Sequence, residues 1–520
     1  MRRSFGGRPV TRGRDWLMTQ TNTGTQPARS TDLLRSSIKF FHIVLMVTAA
    51  AAPLVVVSTY IPLSIGYGAG MSTPVTYIAT TVILLIFSVG FAQMAKRITS
   101  AGAFYTFSTQ GLGKPTGLAV GFMIVAAYSM IAAAISGGFG FFGAALVSTY
   151  FKIDIAWYWY SIAGLALMFL LSYFRVTVGA KFLGIALTLE VLVVFAVCAA
   201  VIVQGGQDGQ QPGSLLPSAW STAPAIGIGF FLAFWSWIGF ETTAIYGEET
   251  KDPKKAVPRA TYIAVITLGI FYTFAAYAGI VGFGQDSPAK ASELVGLYYF
   301  DLADMYTMPF VRPLMDVLVV TGFFACTFAF HNNAARYFFS LGRDGILPRR
   351  LGTTNPVHKS PAWAAGLQTV IAITTVAIFA FAGADPLLQL ATWLPIFCTL
   401  AVIVVQLIVS IAVIGYFNRI GRSGAGDMWK TMIAPLIGVA AQAVVIWLLI
   451  QNLTFLAGSE IILVQMIPLY VVIIAVIGFA YALILKSSSP ARYATIGQLH
   501  DQEMMEIFPD EEFVNEAPDA

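Results

Sequence analysis

Apolar residues in this chain come in long unbroken runs. They do not alternate as in a half-buried strand, nor do they form the one-sided stripe of a surface helix. Twelve runs lie at about 41–66, 75–95, 115–150, 157–173, 179–203, 222–247, 259–283, 313–341, 361–382, 387–417, 431–453 and 461–485. Each is close to or above the roughly 20 residues that carry a helix across a bilayer. The pattern predicts an all-α integral membrane protein with twelve transmembrane helices. It excludes a transmembrane barrel, whose strands alternate apolar and polar positions. The run 115–150 is long enough that its ends leave the hydrocarbon or the helix tilts.

The polar stretches set the boundaries. Residues 1–38 are rich in Arg, Ser, Thr, Gly and Gln and read as a disordered tail. The first apolar run starts too deep and is too long for a signal peptide. Met18 is a second candidate start. The body is expected to span 39–487. The stretch 488–520 reads as an acidic tail, with eight acids and no basic residue in 501–520. Before the third run, SAGAFYTFSTQGLGKP (100–115) is amphipathic and is expected at the membrane surface.

Composition agrees with this picture. Of 520 residues, 57% are hydrophobic and 11% charged; soluble domains carry about 25% charged residues. A water-soluble enzyme is excluded on that ground. The net charge of +4 matters less than its placement. With the N-terminus inside, only Lys152, Lys290 and Arg312 of the 30 basic residues fall on the outer side, leaving 27 inside. The positive-inside rule then predicts two cytoplasmic termini, in the cell membrane, and an even helix count. Cys198, Cys326 and Cys398 sit singly in apolar runs without metal-ligand spacing and read as small buried hydrophobes.

The candidate chemistry lies where helices break. An unwound segment inside a membrane frees N–H and C=O groups that a ligand or ion can satisfy. The first run carries Pro53 and Pro62; the sixth carries Pro224, Gly227, Gly229 and Gly239. They lie five helices apart, an odd number, so the second is inverted relative to the first. Broken helices at matching places in inverted halves point to a transporter. On composition alone, Pro and Gly could equally kink packed helices.

Four motifs make the case more specific: SAGAFYTFSTQGLGKPTGLAVGF (100–122), AKFLGIALTLE (180–190), WSWIGFETTAIYGEETKDPKKAVPRA (235–260) and ARYFFSLGRDGILPRRLG (335–352). In this order they resemble the amino acid–polyamine–organocation permeases over residues 40 to 485. The resemblance implies a leucine-transporter-type fold. Repeat 1 would cover about 39–203 and repeat 2 about 221–417, forming a 5+5 inverted repeat with discontinuous helices 1 and 6. Two further helices follow at about 429–487. It also implies alternating access, with substrate at Ala51, Ala52, Pro53, Leu54, Val55 and Val56 in helix 1 and Trp235, Ser236, Trp237, Ile238 and Gly239 in helix 6. Trp235 matches the aromatic that caps the substrate, while Trp237 and Phe240 are the more natural packing residues.

Two acids stand deep in apolar sequence, where a charge is expensive. Glu241 follows the helix 6 break, at a position the family links to gating; otherwise it satisfies freed backbone N–H groups. Glu190 stands where proton-coupled relatives carry a lysine, so the sign is reversed. Apolar surroundings favour a protonated carboxyl, and Glu190 is either the coupling-proton site or a buried neutral acid hydrogen-bonded to helix 1 or 8. Thr327 is a candidate partner for it. His331 reads as a satisfied hydrogen-bonder and Asp316 as a group that reaches water. Arg336, Arg343 and Asp344, with Glu248 and Glu249, are candidates for an inner latch or for plain topology markers. In helix 1 the usual glycines are replaced by Ala and Val and Pro53 removes a donor, which keeps an amine without a carboxylate in play as substrate.

No phosphate loop, zinc spacing or catalytic triad is present, and GFGFFG (138–143) lacks a strand–turn–helix context. The expectation is therefore a permease, not an enzyme, with no cofactor beyond a coupling proton or, second, sodium. Its partners would be a small amino acid or amine and the lipid bilayer, not nucleic acid. An exchanger of the same fold is the alternative. A channel would show non-saturating flux, and a sensor would bind ligand without uptake.

Overall fold

The computed structural model describes residues 38, 40–174, 177–294, 296–422, 424–458 and 461–498. Among these residues, twelve helices are long and apolar enough to cross a membrane. They are α1 (Phe40–Tyr67), α2 (Gly70–Arg97), α3 (Lys114–Phe151), α4 (Trp157–Phe174), α5 (Gly184–Gln204), α6 (Ile226–Ile245), α7 (Pro253–Glu293), α8 (Val311–Arg343), α9 (Ala362–Phe381), α10 (Pro386–Ile420), α11 (Ala425–Gln451) and α12 (Ile467–Ser488). A shorter linking helix, Ala103–Leu112, lies between α2 and α3, but it is buried along nearly its whole length, with Phe104, Tyr105 and Phe107 inside the bundle, and does not lie at the surface as the sequence suggested. The one isolated β-bridge among the described residues joins Ile38 to Thr250.

Burial separates the spans by role. In α6, 94% of the most apolar window is buried inside the protein, and in α3 83%; α4 and α12 reach only 22%. Helices 3 and 6 therefore form the centre, while α4 and α12 turn their apolar faces to lipid. Phe381, Phe174 and Ile477 are examples of large side chains left exposed by the protein itself. At 38 residues, α3 is about 57 Å long, well beyond the hydrocarbon thickness, as its apolar run required.

Both central breaks have local causes. In α1, Pro53 lacks the N–H that would continue the helix, and its ring disfavours helical geometry at the residue before it. Ala52 leaves the helix, but for φ 44, ψ 69, the left-handed region, and not for the extended conformation usual before proline. For a non-glycine residue this costs about 1–2 kcal/mol. The helix resumes at Pro53 and passes through a wide π-turn at Val56–Tyr60 before returning to α geometry at Ile61–Tyr67. In α6, the first half ends at Trp237, Ile238 is extended, and Gly239 adopts φ 110. The two breaks touch: a Cβ on Gly239 would fall 2.8 Å from the Ala50 Cβ. Only glycine meets both the backbone angle and the close approach.

The sequence assigned 488–520 wholly to a tail. That boundary is too early. After Ser489 the chain forms a short helix, Pro490–Ala494, and turns back onto the bundle through Gly497. The tail regions 1–37 and 499–520 lie outside the described residues.

Candidate functional site

The breaks of α1 and α6 border a narrow cleft. Its lining comprises Ala50, Ala51, Ala52, Val55, Val56 and Tyr60 from α1, Trp235, Ser236 and Ile238 from α6, and Ile135, Cys326 and Phe330 from α3 and α8. Its free interior is about 20 Å³, measured to the centre of a water-sized sphere. That is room for water, not for a substrate.

Seven of the eleven helix 1 and helix 6 positions named from the sequence line this cleft: Ala51, Ala52, Val55, Val56, Trp235, Ser236 and Ile238. The other four do not. Pro53 and Leu54 are buried in the core and shape the break from behind. Trp237 packs between Tyr77 and Tyr272, at ring distances of 5.5 and 5.2 Å. Gly239 contributes its backbone turn. Trp235 stands edge-to-face on Tyr60 at 5.8 Å, so these two rings form one side of the cleft together. Tyr60 was missed in the sequence, although it lies four residues after Val56, on the same helical face.

The polar groups freed by the breaks are largely satisfied by side chains. Tyr272 Oη donates to the Ala51 carbonyl at 2.7 Å, and Cys326 Sγ donates to the Ala50 carbonyl at 3.1 Å. These are among the carbonyls that a helix end leaves without intrahelical donors. Cys326 is thus buried, as expected, but it also lines the cleft and caps a helix end. Tyr77 Oη donates to Ser236 Oγ at 3.0 Å, which in turn donates to Leu232 O at 2.8 Å. At the α6 break the Gly239 N–H donates to Glu241 Oε2 at 3.1 Å, and Tyr128 Oη donates to Glu241 Oε1. Asn333 Nδ2 donates to Thr242 Oγ1 at 2.8 Å. Glu241 therefore braces the break against α3.

Glu190 lies in α5 and is buried against α8. Thr321 Oγ1 is 3.5 Å from its Oε1, and Oε2 has no hydrogen-bond partner among the described residues. Gly322 makes the room, since a Cβ there would be 2.9 Å from Oε2. Thr327, the partner suggested by the sequence, is not hydrogen-bonded to Glu190. It lies almost two turns further along α8 and donates to Phe323 O at 2.7 Å on its own helix. His331 is satisfied, with Nε2 2.8 Å from Thr369 Oγ1. Asp316 is an exposed acceptor for Tyr150 Oη.

The termini-bearing end of the bundle is held by charge. Arg343 makes two hydrogen bonds to Glu248, at 3.0 and 2.9 Å, and Glu248 Oε1 also accepts the Ala101 N–H at 2.8 Å. Arg336 Nη2 meets Glu249 Oε1 at 2.8 Å, and its guanidinium lies 3.8 Å over the Tyr246 ring. Both members of that pair are buried. Ile38 N–H donates to Glu249 O and Ile38 O accepts the Lys251 N–H, each at 2.9 Å. The start of α1, the end of α6, the loop before the linking helix and the end of α8 are thereby joined.

Comparison with known proteins is consistent with this geometry. A family model described as "Amino acid permease" matches residues 38–479. A low-affinity putrescine importer, PlaP, of Escherichia coli is 24% identical over 67% of this chain and 75% of its own length. A branched-chain amino acid permease, BcaP, of Bacillus subtilis is 24% identical over 56% of this chain and 64% of its own. A probable GABA permease of Pseudomonas aeruginosa is 24% identical over 69% and 74%, respectively.

Proposed function

The chain belongs to the amino acid permease family, a multi-pass membrane transporter and not an enzyme, and from that premise we propose that it imports an amino acid by alternating access, driven by protons. The observation that carries this reading is the meeting of the α1 and α6 breaks at Ala50 and Gly239 beside a narrow central cleft. With the basic residues concentrated at the termini-bearing end, that end is the cytoplasmic one, in the cell membrane. Its ion pairs then act as the inner gate, with Glu241 at the hinge of the moving half-helix.

In the proposed complex, the substrate carboxylate meets the first N–H groups of the second half of α1, at Leu54 and Val55, where a helix start offers unsatisfied donors and positive dipole. The ammonium meets the carbonyl end of the first half of α6, under Trp235. The lining side chains include no carboxylate that would hold a second ammonium group. Alanine, valine, isoleucine and phenylalanine side chains make up most of it. An amino acid with a small apolar side chain fits this surface better than a diamine does.

Glu190 is the proposed proton carrier. No basic side chain among the described residues pairs with it, and a buried carboxyl without a counter-charge can exchange a proton when the helices around it separate. The test is uptake into proteoliposomes with and without an inward proton gradient. Labelled aliphatic amino acids should accumulate, unlabelled putrescine should compete poorly, and Glu190→Gln should remove the gradient dependence while leaving exchange. Full gradient-driven uptake by Glu190→Gln would sink the coupling role. Uptake of diamines alone would sink the substrate assignment.

A further inference from the structure

Beyond the helix 12 terminus at Ser488, nine residues fold under the gate. The Gly497 N–H donates to Asp344 Oδ2 at 2.8 Å and to Tyr105 Oη at 2.7 Å, and Tyr105 Oη donates to the same Asp344 oxygen at 2.7 Å. Thr495 Oγ1 donates to Asp344 O at 2.6 Å. Arg492 Nη2 donates to Gly345 O at 2.7 Å. From the linking helix, Gln110 Nε2 donates to Gly497 O at 3.0 Å; from the start of α3, Lys114 Nζ donates to Ala494 O at 2.7 Å. Ile496 between them is 1% exposed. Gly497 itself has φ 60, and a Cβ there would fall 2.7 Å from the Thr109 side chain. The segment is a fitted element, not a loose end.

Its position is specific. Glu248, at the end of α6, is gripped from two sides: by Arg343 of α8 and by the Ala101 N–H ahead of the linking helix. Asp344 directly follows Arg343, and Tyr105 is four residues after Ala101. Tyr105 already bonds Asp344 directly, and by donating one N–H to both, the returning chain locks that tie between the two sides of the grip from beneath. Opening this end requires Glu248 to leave that grip, and the grip cannot spread while its outer edge is tied.

We propose that residues 489–497 are a strap that holds the inner gate shut, so that undocking it favours the form open to the cytoplasm. This rests on reading the termini-bearing end as the inner gate. The groups facing Asp344 are Tyr105 from the linking helix, Arg343 from α8, Glu248 from the end of α6 and the Gly497 N–H from the strap. Burial of its carboxyl raises the pKa from 3.8 to about 6, opposed by the Tyr105 hydrogen bond, Arg343 and the Gly497 N–H.

The cleft supplies its own reporter. Cys326 lines it and is 3% exposed. In full-length protein carrying Cys198→Ala and Cys398→Ala, a charged methanethiosulfonate added from the cytoplasmic side of inside-out proteoliposomes reads inward opening as the Cys326 labelling rate. Trypsin cleavage after Arg492 reads whether the strap is docked. Gly497→Val, strained and clashing with Thr109, should loosen the docked chain around the exposed Arg492 enough for trypsin to cut there, and should speed labelling at least fivefold. Arg343→Ala should speed it as well. Labelling at the unsubstituted rate in Gly497→Val with Arg492 cut, while Arg343→Ala labels fast, would overturn the strap alone. A protected Arg492 in Gly497→Val would equally overturn it, since Gly497 would not be its anchor. Unchanged labelling in both variants would remove the gate reading, and the strap with it.

Discussion

The central cleft and the termini-bearing end of the bundle are built from opposite materials. Around the cleft, α1 and α6 meet through small residues and backbone: Ala50 against Gly239, Ala52 in a left-handed turn, carbonyls capped by Tyr272 and Cys326. At the termini-bearing end, the segment that follows α6 is held to α8 by Arg336–Glu249 and Arg343–Glu248. Packing at a break is short-ranged and geometric, so it fixes shape. Paired charges can be separated into water with modest net change, so they suit a contact that must open and reclose. On the proposed mechanism, the centre would define what fits and the end would switch.

The largest expected effect comes from mixing the two. Gly239→Val places a branched side chain at φ 110 against Ala50 and Phe330. Strain and overpacking together should cost about 2–4 kcal/mol and lower uptake at least 100-fold, with a matching loss of thermal stability in detergent. Next, Glu249→Gln weakens a buried pair without creating a cavity. Because it leaves Arg336 with a poorer partner, it should cost about 1–3 kcal/mol and show as faster Cys326 labelling from the cytoplasmic side. If Gly239→Val instead affected only gate labelling, the division of labour drawn above would be wrong.

A smaller effect concerns Asp344. Its docked pKa of about 6 lies above the ordinary 3.8 because the carboxyl is buried. Between about pH 6 and 4 the docked state binds more protons than an undocked, exposed Asp344 would. Docking should therefore strengthen as pH falls through that window and weaken toward neutrality. Hydrogen exchange of the Gly497 amide, corrected for intrinsic pH dependence, should slow on acidification, and Asp344→Asn should flatten the response. The smallest effect is expected at Ala52. Ala52→Gly relieves the left-handed strain but loosens the unfolded chain, so a net gain of about 0.5–1 kcal/mol in stability is expected, read as a rise in Tm with uptake retained.

How much of this the sequence showed depended on range. Twelve spans were legible because apolar run length is a local property, and the Pro53 break was legible because proline acts on its own neighbours. That Ala52, not a glycine, takes the left-handed turn had no local signal, since a following proline alone favours the extended region there. The partner of Glu190 was placed almost two turns away, at Thr327 instead of Thr321, because the relative height of α5 and α8 is set by their crossing, which one sequence does not encode. Charge placement left Arg336, Arg343, Glu248 and Glu249 open as a latch or as topology markers, and only the fold, which brings the end of α8 against the segment after α6, shows that they pair. The strap was read as tail because its bonds run to Tyr105 and Asp344, 392 and 153 residues away from Gly497, and it carries no apolar period.

The π-turn at Val56–Tyr60 has a consequence for lineage. A π-turn is an α-turn with one residue inserted, and such insertions persist mostly where they serve function. Here the extra residue sits between the break and Ile61–Tyr67, and it sets the phase at which Tyr60 meets Trp235. Deleting one residue from this turn would rotate everything after it by about 100°. Related chains that carry a one-residue gap at this point would present a different face of helix 1 to their substrate, and alignment gaps there become a marker of changed selectivity.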